Sequence, residues 1–429
     1  MTIAVQQALG DPNRPFWNVE AQTRTAAEIE NLHRAGVARE WVRVWDTPLP
    51  FYRAKYEAAG LSRDQVPRLD DIPMTTKKEL LADEAGHGPW GQWRAVDLDN
   101  ATFVSASGGT TGRPMLYLLT KRDAYRTRDA VIRNYWRFGL RQFGRYTHAW
   151  PGGIYGAGGS QLAAEEMGAM EIPVGMPFTV EAAMEHLRIW QVMKPSTFMI
   201  TGSQLLIYDQ AAERLGVNLA DIFAGGTVPI VEASMQFDGP RQRLERRYNC
   251  HFINISGASE IPGGAVSDCR HHTGFHTHAD MTIAQVCDPA TGKEVGPGQR
   301  GHLVWTCFGT DAFWLRYNVE DWVERMEGEC PCGESGLRYR LLGRDGDRVR
   351  IGQRQFFPLD VQLALDPLGG PEFQLLNGGK QAERLELKVE TSDPEGLRQS
   401  LSTALEVPVT VEGVEINSLP RSTFKPRRT

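Results

Sequence analysis

Residues 170–215 read MEIPVGMPFTVEAAMEHLRIWQVMKPSTFMITGSQLLIYDQAAERL, and this stretch decides the fold. Met170 to Val174 and Ser196 to Ile200 are apolar runs of strand length. Val180 to Val192 and Gln204 to Leu215 instead repeat their apolar residues at helical spacing. Strands alternating with helices at this pitch predict an α/β domain with a largely parallel sheet. Outwards from there, Tyr146 to Trp150 reads as a strand, Gln161 to Met167 as a helix and Lys121 to Leu140 as a longer helix. Nearer the start, Glu20 to Glu40 has helical spacing through Ala26, Ile29, Leu32 and Val37, and a second helical stretch runs around Phe51 to Ala59. Thr76 and Glu79 have the spacing of a capping box at a helix start.

From about Met281 the pattern turns to β, with MTIAQVCD, HLVWTCF, WVERM and LRYRLL separated by Gly/Pro turns. The polar loop Gly343 to Arg348 then precedes a strand at Leu385 to Val389, a helix at Pro394 to Leu405 and a strand at Val409 to Ile416. The expected architecture is a large α/β domain over residues 1–344, with mixed parallel sheets, helices and a β-rich subdomain. A small α+β domain follows over residues 345–429.

The 429 residues, 41% hydrophobic and 23% charged, have a globular composition. A net charge of −6 gives no general attraction for polyanions, so nucleic acid is not an expected partner. The first residues, MTIAVQQALGDPNRPFW, lack a charged segment followed by an apolar one, and no apolar run reaches membrane-span length. Six cysteines in a chain of this length do not suggest a disulfide scaffold. A cytoplasmic protein with no membrane partner is the expectation.

Several segments carry residues suited to chemistry. Phe103 to Thr120, FVSASGGTTGRPMLYLLT, places Ser107, Gly108, Gly109, Thr110, Thr111 and Gly112 between two apolar runs. Small residues allow close backbone approach, and hydroxyls with exposed N–H groups suit phosphate oxygens. Arg113 stands where a Walker loop needs Lys, and taken alone the segment is a turn. Ser256-Gly257-Ala258-Ser259-Glu260 follows an apolar strand, where a carboxylate can hold Mg²⁺ against nucleotide phosphates. Asp321 is suited to accept from a ribose diol, or to be a turn residue before a strand. The basic end, Leu419 to Arg428, is a frayed tail or a tongue that supplies Lys425 to a phosphate ester. Cys269 and His276 lie upstream of Cys330-Pro331-Cys332, a Cys₃His set suited to structural zinc; His271, His272 and His278 are the competing imidazoles. Cys250, Cys287 and Cys307 are expected in apolar strands of the core.

In order and spacing these motifs resemble the adenylate-forming superfamily of acyl-CoA synthetases, most closely its phenylacetate–CoA ligase branch. The resemblance rests on Ser107 to Pro114, Gly225-Gly226-Thr227, Ser256 to Glu260, Arg316-Tyr317 to Asp321, Gly343-Arg344 to Pro358 and Lys425. Phe51 to Arg53, Leu69 to Pro73 and Thr76-Lys77 extend it to nearly the whole chain. It implies that a carboxylic acid, aromatic in this branch, attacks ATP, releases pyrophosphate and forms an acyl-adenylate that passes to CoA. Ser107 to Gly112, Gly225, Gly226, Thr227, Ser256, Gly257, Ser259, Asp321 and Arg344 would bind nucleotide. Glu260 would hold Mg²⁺ and Lys425 would bridge the acid and the α-phosphate. Trp150, Tyr155, Gly156, Gly226, Gly257, Ala258 and Ile261 would line the acid pocket, and the small domain would rotate about Gly346-Asp347. Cys269, His276, Cys330 and Cys332 match a metal site found in some members.

The chain departs from the pattern at Ser256, where the family has the Tyr that stacks on adenine, at Thr227 for Glu, and at Gly346 for the first hinge Asp. Alternative readings are an acceptor other than CoA (an amine, a carrier-protein thiol or a small nitrogen nucleophile), a catalytically weakened binding homologue, or a zinc-centred interaction protein. A homodimer is left open.

Overall fold

A computed structural model describes residues 11–106, 115–150, 163–416 and 418–419. The described residues form two compact units, one within 1–175, 195–197 and 255–340, the other within 176–194, 198–254 and 341–429.

In the first unit the helices are fixed at their N-termini by short-range chemistry. Thr25 caps Ala26–Asp46 and Thr76 caps Lys77–His87, each closing a capping box with the glutamate three residues on. Thr120 and Asp123 do the same for Lys121–Arg137. Such boxes satisfy N–H groups that have no partner within the helix, so they mark helix starts that sequence spacing can locate. Residues Thr75–Thr76 first form a short parallel pairing with Tyr317 and Asn318. The hairpin Phe103–Ala106 and Leu116–Leu119 pairs antiparallel and brackets the Gly/Ser/Thr segment, whose residues 107–114 lie outside the described ones.

The β-rich part is an antiparallel meander of Thr282–Cys287, Arg300–Cys307 and Tyr317–Arg325. Beside it, Ala265–Ser267 pairs with 255–257 and, through His276, with Phe275–His276, which pairs in turn with 338–339. Arg145–His148 and Met170–Pro173 run parallel. Helix Lys121–Arg137 buries Ala124, Thr127, Ala130, Val131 and Tyr135, and Tyr135 packs on Tyr146 at 4.6 Å.

In the second unit, helices Val180–Met193 and Gly202–Leu215 pack through an aromatic cluster. Trp190 lies 4.8 Å from Tyr208, 5.3 Å from Phe198 and 6.0 Å from Phe223, geometry in which rings add to simple area burial. Thr227–Val231 runs parallel to the start of His251–Gly257. Towards the C-terminus, Leu385–Glu390 pairs antiparallel with Phe373–Leu375 and parallel with Val409–Val414, joined by helix Pro394–Leu405. These close a core of Val349, Phe356, Val361, Leu365, Leu387, Leu401 and Val409, among others. This region is tied to the rest of its unit by the Arg243–Asp366 ion pair and by Gln362 Nε2 donating to Glu232 Oε1 at 3.1 Å.

The mixed α/β class is the one expected, and three details differ from the sequence expectations. Asp321 lies inside the strand Tyr317–Arg325, not in a turn before it. Cys250 precedes its strand, because Asn249 ends helix Asp238–Tyr248 in the left-handed conformation and the chain must turn there. The helix at Gln161 to Met167 is seen as Ala163–Glu166, residues 161 and 162 lying outside the described ones.

Candidate functional site

Two groups of residues in the first unit have the chemistry of a site. In the first, Cys269, His276, Cys330 and Cys332 bring their donor atoms within 4.8 Å of one another. Cys269 Sγ lies 3.5 Å from Cys330 Sγ, and His276 Nε2 lies 3.7 Å from Cys332 Sγ. A tetrahedral site with metal–sulfur bonds of ~2.3 Å has edges of roughly 3.8 Å, so the donor set fits a soft divalent ion. Hydrogen bonds to sulfur support the thiolate form: Thr273 Oγ1 donates to Cys330 at 3.1 Å and the Glu334 N–H to Cys332 at 3.4 Å. The Cys269 and His276 hydrogen bonds hold the Cys332 thiol below its usual value. The other imidazoles are engaged elsewhere or exposed. His278 is buried, bonds the Ala265 carbonyl at 2.9 Å and is pushed down to about 3 by burial. His272 pairs with Asp268 at 2.8 Å, and His271 is exposed.

Around this cluster lies a buried polar network. Glu334 Oε2 is 3.7 Å from His276 Nδ1. Arg137 grips Glu334 with Nε at 2.7 Å and a second bond from Nη2, and Gln22 Nε2 donates to it at 2.8 Å. Burial opposes the Glu334 charge, but the Arg137 guanidinium pulls its carboxyl down to about 2. Ser335 donates its N–H and hydroxyl to the Gln22 carbonyl, joining the start of the chain to the cluster.

The second group is the carboxylate pair Glu260 and Asp321. Glu260 sits in the turn after His251–Gly257. That turn is tight: Gly264 N–H donates to the Ile261 carbonyl at 2.7 Å and Ile261 N–H to the Ala258 carbonyl at 3.2 Å. A Cβ on Gly264 would stand 2.7 Å from Ile261 Cβ, so only glycine fits. Ser105 Oγ donates to the Ser259 carbonyl at 3.3 Å, which seats the end of the 103–106 strand beside this turn. Glu260 shares a small cleft with Trp93, Tyr117, Leu118, Phe313 and Trp314. Burial, and then the nearby Glu260 charge, raise the Tyr317 hydroxyl well above its usual value. One carboxylate at the carboxyl end of a strand suits a Mg²⁺ that takes its other ligands from phosphates and water.

Asp321 is aimed by a bulge. His302 pairs with Trp322 and Val304 with Asn318, so Leu303 alone faces residues 319–321. Glu320 adopts φ 61°, and its N–H is held by Asn318 Oδ1 at 2.8 Å. Bulges re-aim side chains, and here the carboxylate faces Tyr339, whose hydroxyl hydrogen-bonds with Ser256. Burial, then Asp321, raise the Tyr339 hydroxyl.

Not every expected residue joins these groups. Gly225 and Gly226 form the turn that enters Thr227–Val231: Gly225 N–H donates to the Asn249 carbonyl and His251 N–H to the Gly226 carbonyl, both at 2.9 Å. Because 227–230 runs parallel to 251–254, this turn lies at the amino end of the pair, whereas Ser256 to Glu260 follow the carboxyl end. Ligands of such sheets sit at the carboxyl ends. Ile261 is only 2% exposed. Trp150 is half-buried, just past the end of Arg145–His148, and Gly257 and Ala258 lie in the turn before Glu260. Arg344 is the exposed last residue of Arg338–Arg344, followed by the single 3₁₀ turn Asp345–Asp347 that contains Gly346. Ser107 to Gly112, Tyr155, Gly156 and Lys425 lie outside the described residues.

No family model matches the chain. It is 29% identical to a phenylacetate-coenzyme A ligase of Thermus thermophilus over 389 residues, 88% of this chain and 85% of that one. A phenylacetate-coenzyme A ligase of Escherichia coli is 26% identical, with 88% and 89% covered. A crystal structure of 2-hydroxyisobutyryl-CoA ligase, in the postadenylation state with 2-HIB-AMP, superposes with a TM-score of 0.85 at 24% identity over 98% of this chain and 93% of that one. The chain is thus similar in sequence to phenylacetate-coenzyme A ligases along most of its length, and it shares the fold of a CoA ligase.

Three residues stand out that sequence reading passed over. Glu232 follows Thr227–Val231 at its carboxyl end and accepts from Ser234 Oγ at 3.2 Å and from Gln362. The available signal was direction: a polar residue after a strand outranks a glycine pair before it. Glu334 follows Cys332 by two residues, and Tyr339 lies on a neighbouring strand; nothing in local spacing links either to a site.

Proposed function

We propose that the protein activates a carboxylic acid with ATP, releasing pyrophosphate, and transfers the acyl group from the adenylate to CoA. The observation that carries this reading is the placement of Glu260 after the carboxyl end of its strand, in the turn that accepts from Ser105, in a chain similar to CoA ligases along most of its length. In this reading Glu260 holds Mg²⁺, which neutralises phosphate charge. Asp321 accepts from the ribose hydroxyls, with Ser256, Ser259 and Arg344 completing the nucleotide side. Ser107 to Gly112 hold the β- and γ-phosphates. Lys425 bridges the acid and the α-phosphate as a point charge, so catalysis is positioning plus charge stabilisation. Residues 345–429 then turn about Gly346-Asp347 to withdraw Lys425 and admit the thiol. Cys269, His276, Cys330 and Cys332 hold zinc in a structural role, since four protein ligands leave no open position.

The acid is read as aromatic, from the phenylacetate-coenzyme A ligases, with Trp150, Tyr155, Gly156, Gly257 and Ala258 around it. Among the described residues no helix is long and apolar enough to cross a membrane. The test is ATP–pyrophosphate exchange against phenylacetate, benzoates and 2-hydroxyisobutyrate, followed by mass identification of the product with CoA. Exchange with an aryl acid, lost in Lys425→Ala while ATP still binds, is the expected result. Acid-dependent AMP formation without a thioester would overturn CoA as acceptor, and exchange with none of the acids would overturn the adenylation reading itself.

A further inference from the structure

A group of arginines outside both sites converges on one glycine. The position that a Cβ would take on Gly309 lies 3.5 Å from Arg39 Nη2, 3.5 Å from Arg126 Nη1 and 3.9 Å from Arg122 Nη2. Gly309 adopts φ 68°, a conformation that disfavours a side chain, so the space between the three guanidinium groups stays open. Arg39 and Arg122 are more than half exposed.

The carboxylates nearby are engaged. Glu40, buried, accepts the Gly309 N–H at 3.1 Å and bonds Arg43 at 3.1 Å, with Arg39 at 3.6 Å. Asp311 accepts from Thr120 Oγ1 at 2.7 Å and lies 3.6 Å from Arg122. Asp123 accepts the N–H groups of Asp311 and Ala312. Arg126 turns Nη2 towards the carbonyls of Asp280 and Met281, leaving Nη1 towards Gly309. Against these carboxylates, and Asp280 whose charge also acts on Arg126, stand Arg39, Arg43, Arg122 and Arg126, and Arg122 sits in the first turn of Lys121–Arg137, where the helix dipole disfavours cations. The three guanidinium groups repel one another even with these carboxylates nearby, and an anion placed between them would relieve that repulsion. Burial first, then the Arg122 and Arg133 charges, hold the Arg126 guanidinium below its ordinary value.

We infer that Arg39, Arg122 and Arg126 form a binding site for a phosphate dianion, held by forked N–H donors over Gly309. Two sources share that chemistry: a phosphate monoester at the end of a larger ligand, of which the 3′-phosphate of CoA is the candidate under the function proposed above, and free inorganic phosphate. Calorimetric titration of the full chain at low salt with CoA, 3′-dephospho-CoA and inorganic phosphate separates them. If the ester is the source, CoA binds about tenfold or more tightly than 3′-dephospho-CoA, and Arg39→Gln/Arg122→Gln erases the difference. If free phosphate is the source, it binds the wild type and is lost in the double variant while the two CoA forms bind alike. Asp311→Asn removes the nearest exposed negative charge and should tighten either ligand, a gain that misfolding cannot imitate. The inference is overturned if the double variant binds all three probes as the wild type does, or if phosphate and CoA show no dependence on these arginines. Exchange activity reports separately on the proposed function: its absence in the wild type would leave phosphate binding measurable.

Discussion

The Cys/His cluster and the carboxylates Glu260 and Asp321 belong to the same unit but are held in opposite ways. The cluster is built from side chains, with four donors in mutual reach and buried partners in Glu334, Arg137 and Gln22. The carboxylates are aimed by backbone, one by a glycine-bounded turn and the other by a bulge, and both remain partly open. A site made of side chains stabilises the fold around it. One aimed by backbone takes the direction of its functional group from the turn or bulge that carries it. Substitutions in the first should therefore cost stability, and substitutions in the second should cost activity.

The largest expected effect is on the cluster. On the zinc site proposed above, a strong chelator, or Cys332→Ser, should remove on the order of 10 kcal/mol of apparent stability, read as collapse of the cooperative transition in calorimetry. An unshifted transition would place the cluster with the activity-only residues and break the comparison. Next comes the Arg133 pair, which tests whether stability here comes from metal alone. Arg133, 1% exposed, bonds Asp280 at 2.6 and 2.9 Å and Asp129 at 2.6 Å. Asp280→Asn should cost about 3–5 kcal/mol with the metal still bound.

The same pair has a pH signature. Burial alone would raise the Asp280 carboxyl, but the Arg133 hydrogen bonds and charge hold it below its ordinary value. A carboxyl lowered by folding contributes stability that is present above its unfolded value, near pH 4, and is lost as the pH falls below it. Acid titration of the unfolding free energy should show this loss in the wild type and less of it in Asp280→Asn.

On the other side of the comparison, Glu260→Gln should lower ATP–pyrophosphate exchange by about 10²–10³ while moving the unfolding temperature little. A large loss of stability would show that the turn depends on the carboxylate. The smallest effect sharpens the first region: Glu334→Gln keeps the shape but weakens the acceptor beside His276. It should speed metal transfer to a chromophoric chelator by about 10–100-fold, a readout independent of activity.

How far the sequence could be read follows the same division. Capping boxes at Thr76 and the strand–helix alternation of residues 170–215 are local patterns, and the structure has both close to the expected positions. The Cys₃His set, His276 included, was legible because few residue types have that chemistry, and the structure brings those four together while His278 bonds the Ala265 carbonyl. Long-range geometry was not legible. Glu334 reaches His276 only because strands far apart in sequence pair, and the bulge at 319–321 is a property of the Arg300–Cys307 register. That the Gly225-Gly226 turn lies at the amino end of its strand is likewise a matter of strand direction, which the residues themselves do not state.

The left-handed Glu320 has one further consequence. A non-glycine residue at φ 61° costs of order 1 kcal/mol, a cost met once, when the chain folds. The neighbouring carboxylate is thereby oriented before any ligand arrives, and binding need not order it. Glu320→Gly would relax the backbone and enlarge the conformations open to Asp321, so a more comfortable chain would be a poorer receptor.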